Sequence, residues 1–298
     1  MPKMPKPVKV NRQIVNLRTW LAEPSNLERL RDRPRKQLTT ASADASQLGI
    51  ITAADCCWKL WLYTGRQGAS EILDGHESGW ATLSQALALG RTYIAVFAQT
   101  WDAGVQKSSV VMASSAAVML AHALAIGDDP TADFLAQRLV ESVTRGMFGR
   151  SWFERSPFCT FIVRLHARLR GHRVELPSPE PRAYDAIWAS WDSGGAALAD
   201  ALVAACEHHL ASVNDTDAWT AEFAESAFPV FPAEILAVAR VRQRLGLTTP
   251  PVAHPLMETA LAQLPASVPP ARNDETLDRV LDKARERWGD TPNLNLRG

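Results

Sequence analysis

Apolar residues recur at helical spacing along almost the whole chain of 298 residues, and alternation with a period of two is nearly absent. A half-buried strand must alternate its faces at every residue, so this pattern argues against a sheet-based core. The expected fold class is all-α, a multi-helix array of two packed helical lobes with an added C-terminal amphipathic helix. With 46% hydrophobic residues, the chain has enough apolar surface to build that array as one large domain or two lobes.

Prolines and glycines punctuate the pattern. A basic leader and short helices are expected over 1–36: a helix from Ile14 to Leu21 stopped by Pro24, a second capped by Ser25 and running to Arg31, then a solvated basic connection from Arg29 to Lys36. A first helical lobe is expected over 37–173. In it Trp58, Trp61 and Leu62 form a stripe ending near Gly65, Ser78 to Trp101 form a longer helix, and Asp129-Pro130 start a helix that Gly146 ends. Thr92 to Ala98 resembles a strand in isolation, but its helical flanks argue for helix. Pro157 opens the next helix, with Arg164, Arg168 and Arg170 outward and Gly171 at its C-terminal cap.

Leu176-Pro-Ser-Pro-Glu-Pro181 cannot be helical, because each proline removes a donor and restrains the residue before it, and a lobe boundary is placed there. The second lobe, 182–265, opens with Tyr184, Ile187, Trp188 and Trp191 on one helical face and breaks at Gly194-Gly195. Leu198, Leu202, Ala205 and His209 form the next buried stripe. Between Pro232 and Gly246, Ile235, Val238 and Leu245 are expected inside and Arg240, Arg242 and Arg244 nearer solvent. Asn273 is read as the cap of the terminal helix, 273–289, whose stripe is Leu277, Val280, Leu281, Ala284 and Trp288. Its acidic first turn and basic last turn suit the helix dipole.

Lysines and arginines number 32, aspartates and glutamates 32, so the basic footprint of non-specific nucleic-acid binding is missing and nucleic acid is not expected as a partner. Nor is a membrane: Val110 to Ile126 carries no charged residue but is short for a span and alanine-rich, which favours a buried helix. The amino terminus has positive charge without an apolar region behind it, and a cytoplasmic location is expected. Cys56, Cys57, Cys159 and Cys206 lack zinc-type spacing and read as buried thiols. Most of the ten tryptophans fall on apolar stripes and are expected in the core.

No spacing in the chain marks a catalytic or metal centre, so no catalytic residue, metal ligand or cofactor is assigned. Glu207, His208 and His209 are consecutive, and neighbours on a helix point about 100° apart, so they cannot converge on one ion. His209 is expected in the core with a hydrogen bond, and His208 toward water. His166 and His172 share no face, and His254 before Pro255 is expected to fix a turn by bonding backbone. Ser193-Gly-Gly195 is too short to cradle a phosphate. Glu222 and Glu225 stand at i, i+3 and read as an exposed acidic face.

Four segments then carry a resemblance: Tyr184-Asp-x-x-Trp188-x-x-Trp191; Cys206-x-x-His209-Leu210; Phe231-Pro-x-Glu234-Ile235-Leu236 with an arginine-rich helix behind it; and His254-Pro-Leu-Met. In this order they resemble the C-terminal half of an all-helical immunity-protein family of bacterial polymorphic-toxin systems, the one numbered forty-nine. The resemblance implies a protein that binds and neutralises a cognate secreted toxin acting in the cytosol, in competition between bacteria. Asp185, Glu222 and Glu225 are the residues expected to pair with a basic toxin surface. An enzyme that reverses toxin damage through Glu207, His208 and a third polar group stays open as an alternative. So does a helical scaffold unrelated to toxins. The oligomeric state is left open.

Overall fold

A computed structural model describes residues 9–105, 113–145, 156–176, 183–213 and 229–289. The fold is all-α, as the periodicity predicts, with no strand among the described residues. The chain forms two compact units, each assembled from two stretches: unit 1 from Met1–Val15 and Ala113–Ser267, unit 2 from Asn16–Met112 and Val268–Gly298. Helix α1, Val10–Ala22, contains the division at 15/16. The expected lobe boundary near 173–182 does not separate the units, since Pro157–Leu169 and Ala233–Arg244, on either side of it, pack together in unit 1. Prolines end a helix locally, whereas the apolar faces that meet decide which helices belong together. Of that boundary, 177–182 lie outside the described residues.

Unit 2 is built on a long helical hairpin, α4 (Gln47–Leu73) and α5 (Ser78–Asp102). Ser46 caps α4 by accepting the Gly49 N–H at 3.1 Å. The helix does not end near Gly65 as its glycines suggest; it continues two turns further. A Cβ on Gly68 would lie 2.9 Å from the Leu83 nitrogen, and one on Gly79 would lie 2.7 Å from the Gly68 carbonyl oxygen. These two glycines let the backbones of α4 and α5 approach closely, so the residues that weaken a lone helix serve a helix pair.

Before α4, helix α2 (Pro24–Leu27), a π-helical turn (Glu28–Asp32) and α3 (Arg33–Ala41) run on without the expected solvated connection. Helix α1 ends at Ala22, just before Pro24 as expected, and Pro24 itself starts α2; Ser25 is inside that helix, with Glu23 at the cap position. Pro34 is accommodated because the π turn, closed by the Arg33 N–H on the Glu28 carbonyl, opens the backbone where a proline ring would strike an α-helical carbonyl.

The helix later in sequence, α12 (Glu275–Trp288), completes unit 2 by packing on α4 and α5 and burying Leu277, Val280, Leu281 and Ala284. Its cap is Asp274, one residue beyond the expected Asn273, accepting the Thr276 N–H at 3.0 Å. The Ser84 hydroxyl donates to the Pro269 carbonyl at 2.7 Å, and Gln85 reaches Asp274 at 3.3 Å.

Unit 1 is organised around α6 (Ala113–Ile126), where every residue from Ala113 to Ala125 is buried. Around it pack α7 (Asp129–Arg145), α8 (Pro157–Leu169) and α11 (Ala233–Arg244). No described helix is long and apolar enough to cross a membrane. Short α9 (Asp185–Ala189) leads into α10 (Gly195–Ser212), and Gly194 at φ +61° makes the sharp entry that the paired glycines predict. Two 3₁₀ turns, Pro255–Glu258 and Ala260–Ala262, close the unit.

Register holds for most of the core. Ile187, Trp191, Leu198, Leu202, Ala205 and His209 are buried as expected. Two positions on α11 are reversed: Arg242 is 2% exposed, and Leu245, at the C-cap, is 40% exposed. All four cysteines are buried, and desolvation pushes the Cys56 thiol up to about 11. None of the described tryptophans is exposed; Trp152, Trp219 and Gly146 lie outside the described residues.

Candidate functional site

The four segments of the resemblance meet one another inside unit 1, each through a polar side chain. Tyr184 stands at the cap position of α9, and Trp191 lies in the turn just past its end. The Tyr184 ring stacks on Phe161 at 4.2 Å between centroids, and the edge contact of His208 on Tyr184 joins the first segment to the second. His208 therefore packs against a ring and lies 3.4 Å from the Ser212 hydroxyl, not simply toward water.

The second segment meets the third at the deepest point. His209 and Glu234 are both shielded from solvent, and His209 Nδ1 lies 2.7 Å from Glu234 Oε1. Helical register placed His209 there, since Leu198, Leu202, Ala205 and His209 share a face; Glu234 opens α11 on the facing helix. Cys206, one turn before His209, has its thiol pushed up by burial and then by the charges of Glu234 and Glu207. It is held as a thiol, the unreactive form.

The third segment meets the first through Arg242. Its guanidinium donates to the Trp191 carbonyl and, at 2.6 Å, to the Thr248 carbonyl, while standing 5.3 Å from the centroid of the Trp191 ring. Burial pulls Arg242 below the usual guanidinium range, and the two carbonyls with the ring face replace the lost water. Spacing contained this signal: Ile235, Val238 and Arg242 stand at i, i+3, i+7, one face of a helix.

The fourth segment meets the second at His254. Its Nδ1 accepts the Leu256 N–H at 3.1 Å, the turn-fixing bond expected of a histidine before proline. The neutral ring then carries its proton on Nε2, which faces Glu207 Oε1 at 3.2 Å. Both ring nitrogens thus have partners within unit 1.

A second polar layer binds α7, α8 and α11. Asp129 receives Arg244 at 2.5 and 2.8 Å and Arg170 at 3.3 Å; Asp133 receives Arg170 at 2.8 and 2.9 Å and His166 Nε2 at 2.7 Å. The Arg244 hydrogen bond, with Arg170 beside it, holds the Asp129 carboxyl below the ordinary range. Burial lowers His166 against the opposing pull of Asp133. On α6, buried His122 packs edge-on to Phe231 of the third segment at 5.3 Å and is pushed down to about 3 by desolvation.

Of the residues expected to meet a partner, Asp185 is exposed on the first turn of α9. Glu222 and Glu225 lie outside the described residues, so no shared acidic face is defined with Asp185. The trio Glu207, His208 and a third polar group is not brought together: Glu207 turns to His254 and His208 to Tyr184 and Ser212. Among the described residues, no group of three or more His, Cys, Asp or Glu side chains is placed to hold a metal ion. No protein-family model, curated protein or solved structure matches the chain.

Proposed function

We propose that this protein is an immunity protein that binds a cognate bacterial toxin in the cytosol and blocks it by covering its working surface. What supports the reading is that the polar residues of the four ordered segments are spent on each other, in the contacts Tyr184–His208, His209–Glu234, Arg242–Trp191 and His254–Glu207. Groups tied in this way stiffen a helical framework. A stiff, preformed surface is what occlusion needs, because it loses little entropy when a partner buries about 800 Å² of it.

The experiment is co-expression with the toxin encoded beside the gene, followed by a sizing column. A stable complex is expected; full protection without any complex would remove the binding mechanism. The competing reading, an enzyme that repairs toxin damage, has one contact in its favour: Glu207 is half exposed beside His254. A Glu207→Ala/His208→Ala variant separates the two. Protection kept with complex formation supports occlusion, and protection lost with the complex intact supports repair.

A further inference from the structure

In unit 2 an open cleft of about 510 Å³ runs between the α2–α3 helical run and α4. One wall carries Arg29, Arg33 and Gln37, and the other Ile51, Thr52, Asp55 and Lys59, with Pro34 and Phe97 also in the lining. Lys59 holds Asp55 at 2.6 Å, one turn away on α4, so the lone carboxylate of the cleft is already matched. Arg29 and Arg33 are exposed, and neither meets a carboxylate among the described residues. Two positive charges in this concavity are therefore unbalanced.

The π-helical turn sets their geometry. Arg29 lies within it and Arg33 at the first residue of α3, four positions on, so the two share a face of the helical run and line the same cleft. Such a pair presents two guanidinium forks side by side, a spacing suited to successive carboxylates. Phe97, Ile51 and Pro34 add an apolar floor next to the charges.

We infer that this cleft docks an acidic segment of a partner protein, one in which carboxylates stand beside an apolar side chain. Resting on the reading of the molecule as a protein-binding protein, the inference adds where the partner is gripped and by what chemistry. A protein segment suits the cleft better than a small free anion. The arginines stand in solvent, where a small anion would leave them hydrated and screened, whereas a partner brings surface to close over the rim and strengthen the pairing.

The test titrates the full chain with three probes: a blocked peptide with two glutamates flanking a phenylalanine, the same peptide with glutamines, and inorganic phosphate. Arginine side-chain NMR signals report the contact. The acidic peptide is expected to shift the Arg29 and Arg33 signals saturably, with affinity falling at least tenfold in R29E/R33E and on raising salt. The R29Q/R33Q variant should show a smaller loss, with both variants melting like the parent because the two side chains are exposed. Failure of the acidic peptide to bind, equal binding of the glutamine peptide, unchanged binding in R29E/R33E, or saturation by phosphate with the same shifts would each overturn the inference. A toxin complex that survives R29E/R33E unchanged also overturns it while leaving the immunity reading standing. Peptide binding without any toxin complex does the reverse.

Discussion

The two units solve the burial of polar side chains in opposite ways. Every buried histidine or charged side chain among the described residues, namely His122, Arg138, His166, His209, Glu234, Arg242 and His254, belongs to unit 1. The fully buried polar residues of unit 2 are neutral ones such as Asn26, Ser84, Thr92 and Gln99, its ion pairs lie at the surface, as in Arg18–Asp74, and its half-buried Arg66 is pulled down to about 10 by burial. Unit 2 is held instead by backbone proximity at Gly68 and Gly79 and by rings, with Arg66 3.8 Å from the centroid of Trp20. A desolvated charge fixes its partner and geometry and becomes a point of failure when the partner is lost; a close backbone crossing tolerates changes of charge and fails on added volume.

The largest expected effect tests the charged interior. Glu234→Ala leaves His209 buried beside an emptied position and is expected to lower unfolding stability by about 3–5 kcal/mol in denaturant titration. A loss under about 1 kcal/mol would mean that the pair is not what holds α10 to α11. In unit 2, Gly79→Ala forces a methyl against the Gly68 carbonyl and is expected to cost about 1–3 kcal/mol. A neutral or stabilised variant would place the strength of the hairpin elsewhere.

The smallest effect sharpens the contrast by pH. His122 is kept neutral in the folded chain, down to about 3, whereas the unfolded chain takes up a proton near the ordinary value of about 6.5. Below that value the unfolded state binds more protons, so this group's share of stability is intact above it and falls as pH drops toward the folded value. Between pH 7 and 5.5 the loss is about 1 kcal/mol, and His122→Leu should flatten that part of the profile. An unchanged slope in the variant would show that His122 is protonated without penalty.

Local signals carried the helices well. Asp129-Pro130, Pro157, Gly171 and Gly194-Gly195 sit where helix starts, ends and sharp entries need them, and the long pattern around Ser78 to Trp101 returns as α5. Most of what failed depended on partners distant in sequence. Gly65 looked like an end because nothing local says that α5 will lie against the helix a turn further on, at Gly68. Arg29 to Lys36 looked like a solvated linker because composition does not report a π turn. At the candidate site, the burial of His209 could be read from register, but not its pairing with Glu234, which starts a separate helix after 25 residues of sequence. Arg242 was misplaced by chemistry overruling register, although its own spacing pointed inward.

Because α12 docks on α4 and α5, with Gln85 and Asp274 joined across 189 positions, unit 2 is finished by a helix that leaves the ribosome long after its hairpin does. Until then the hairpin presents a bare greasy strip to the surroundings during translation. Loss of α12 by clipping would re-create that nascent condition in the mature chain, giving a form inclined to aggregate and open to further proteolysis.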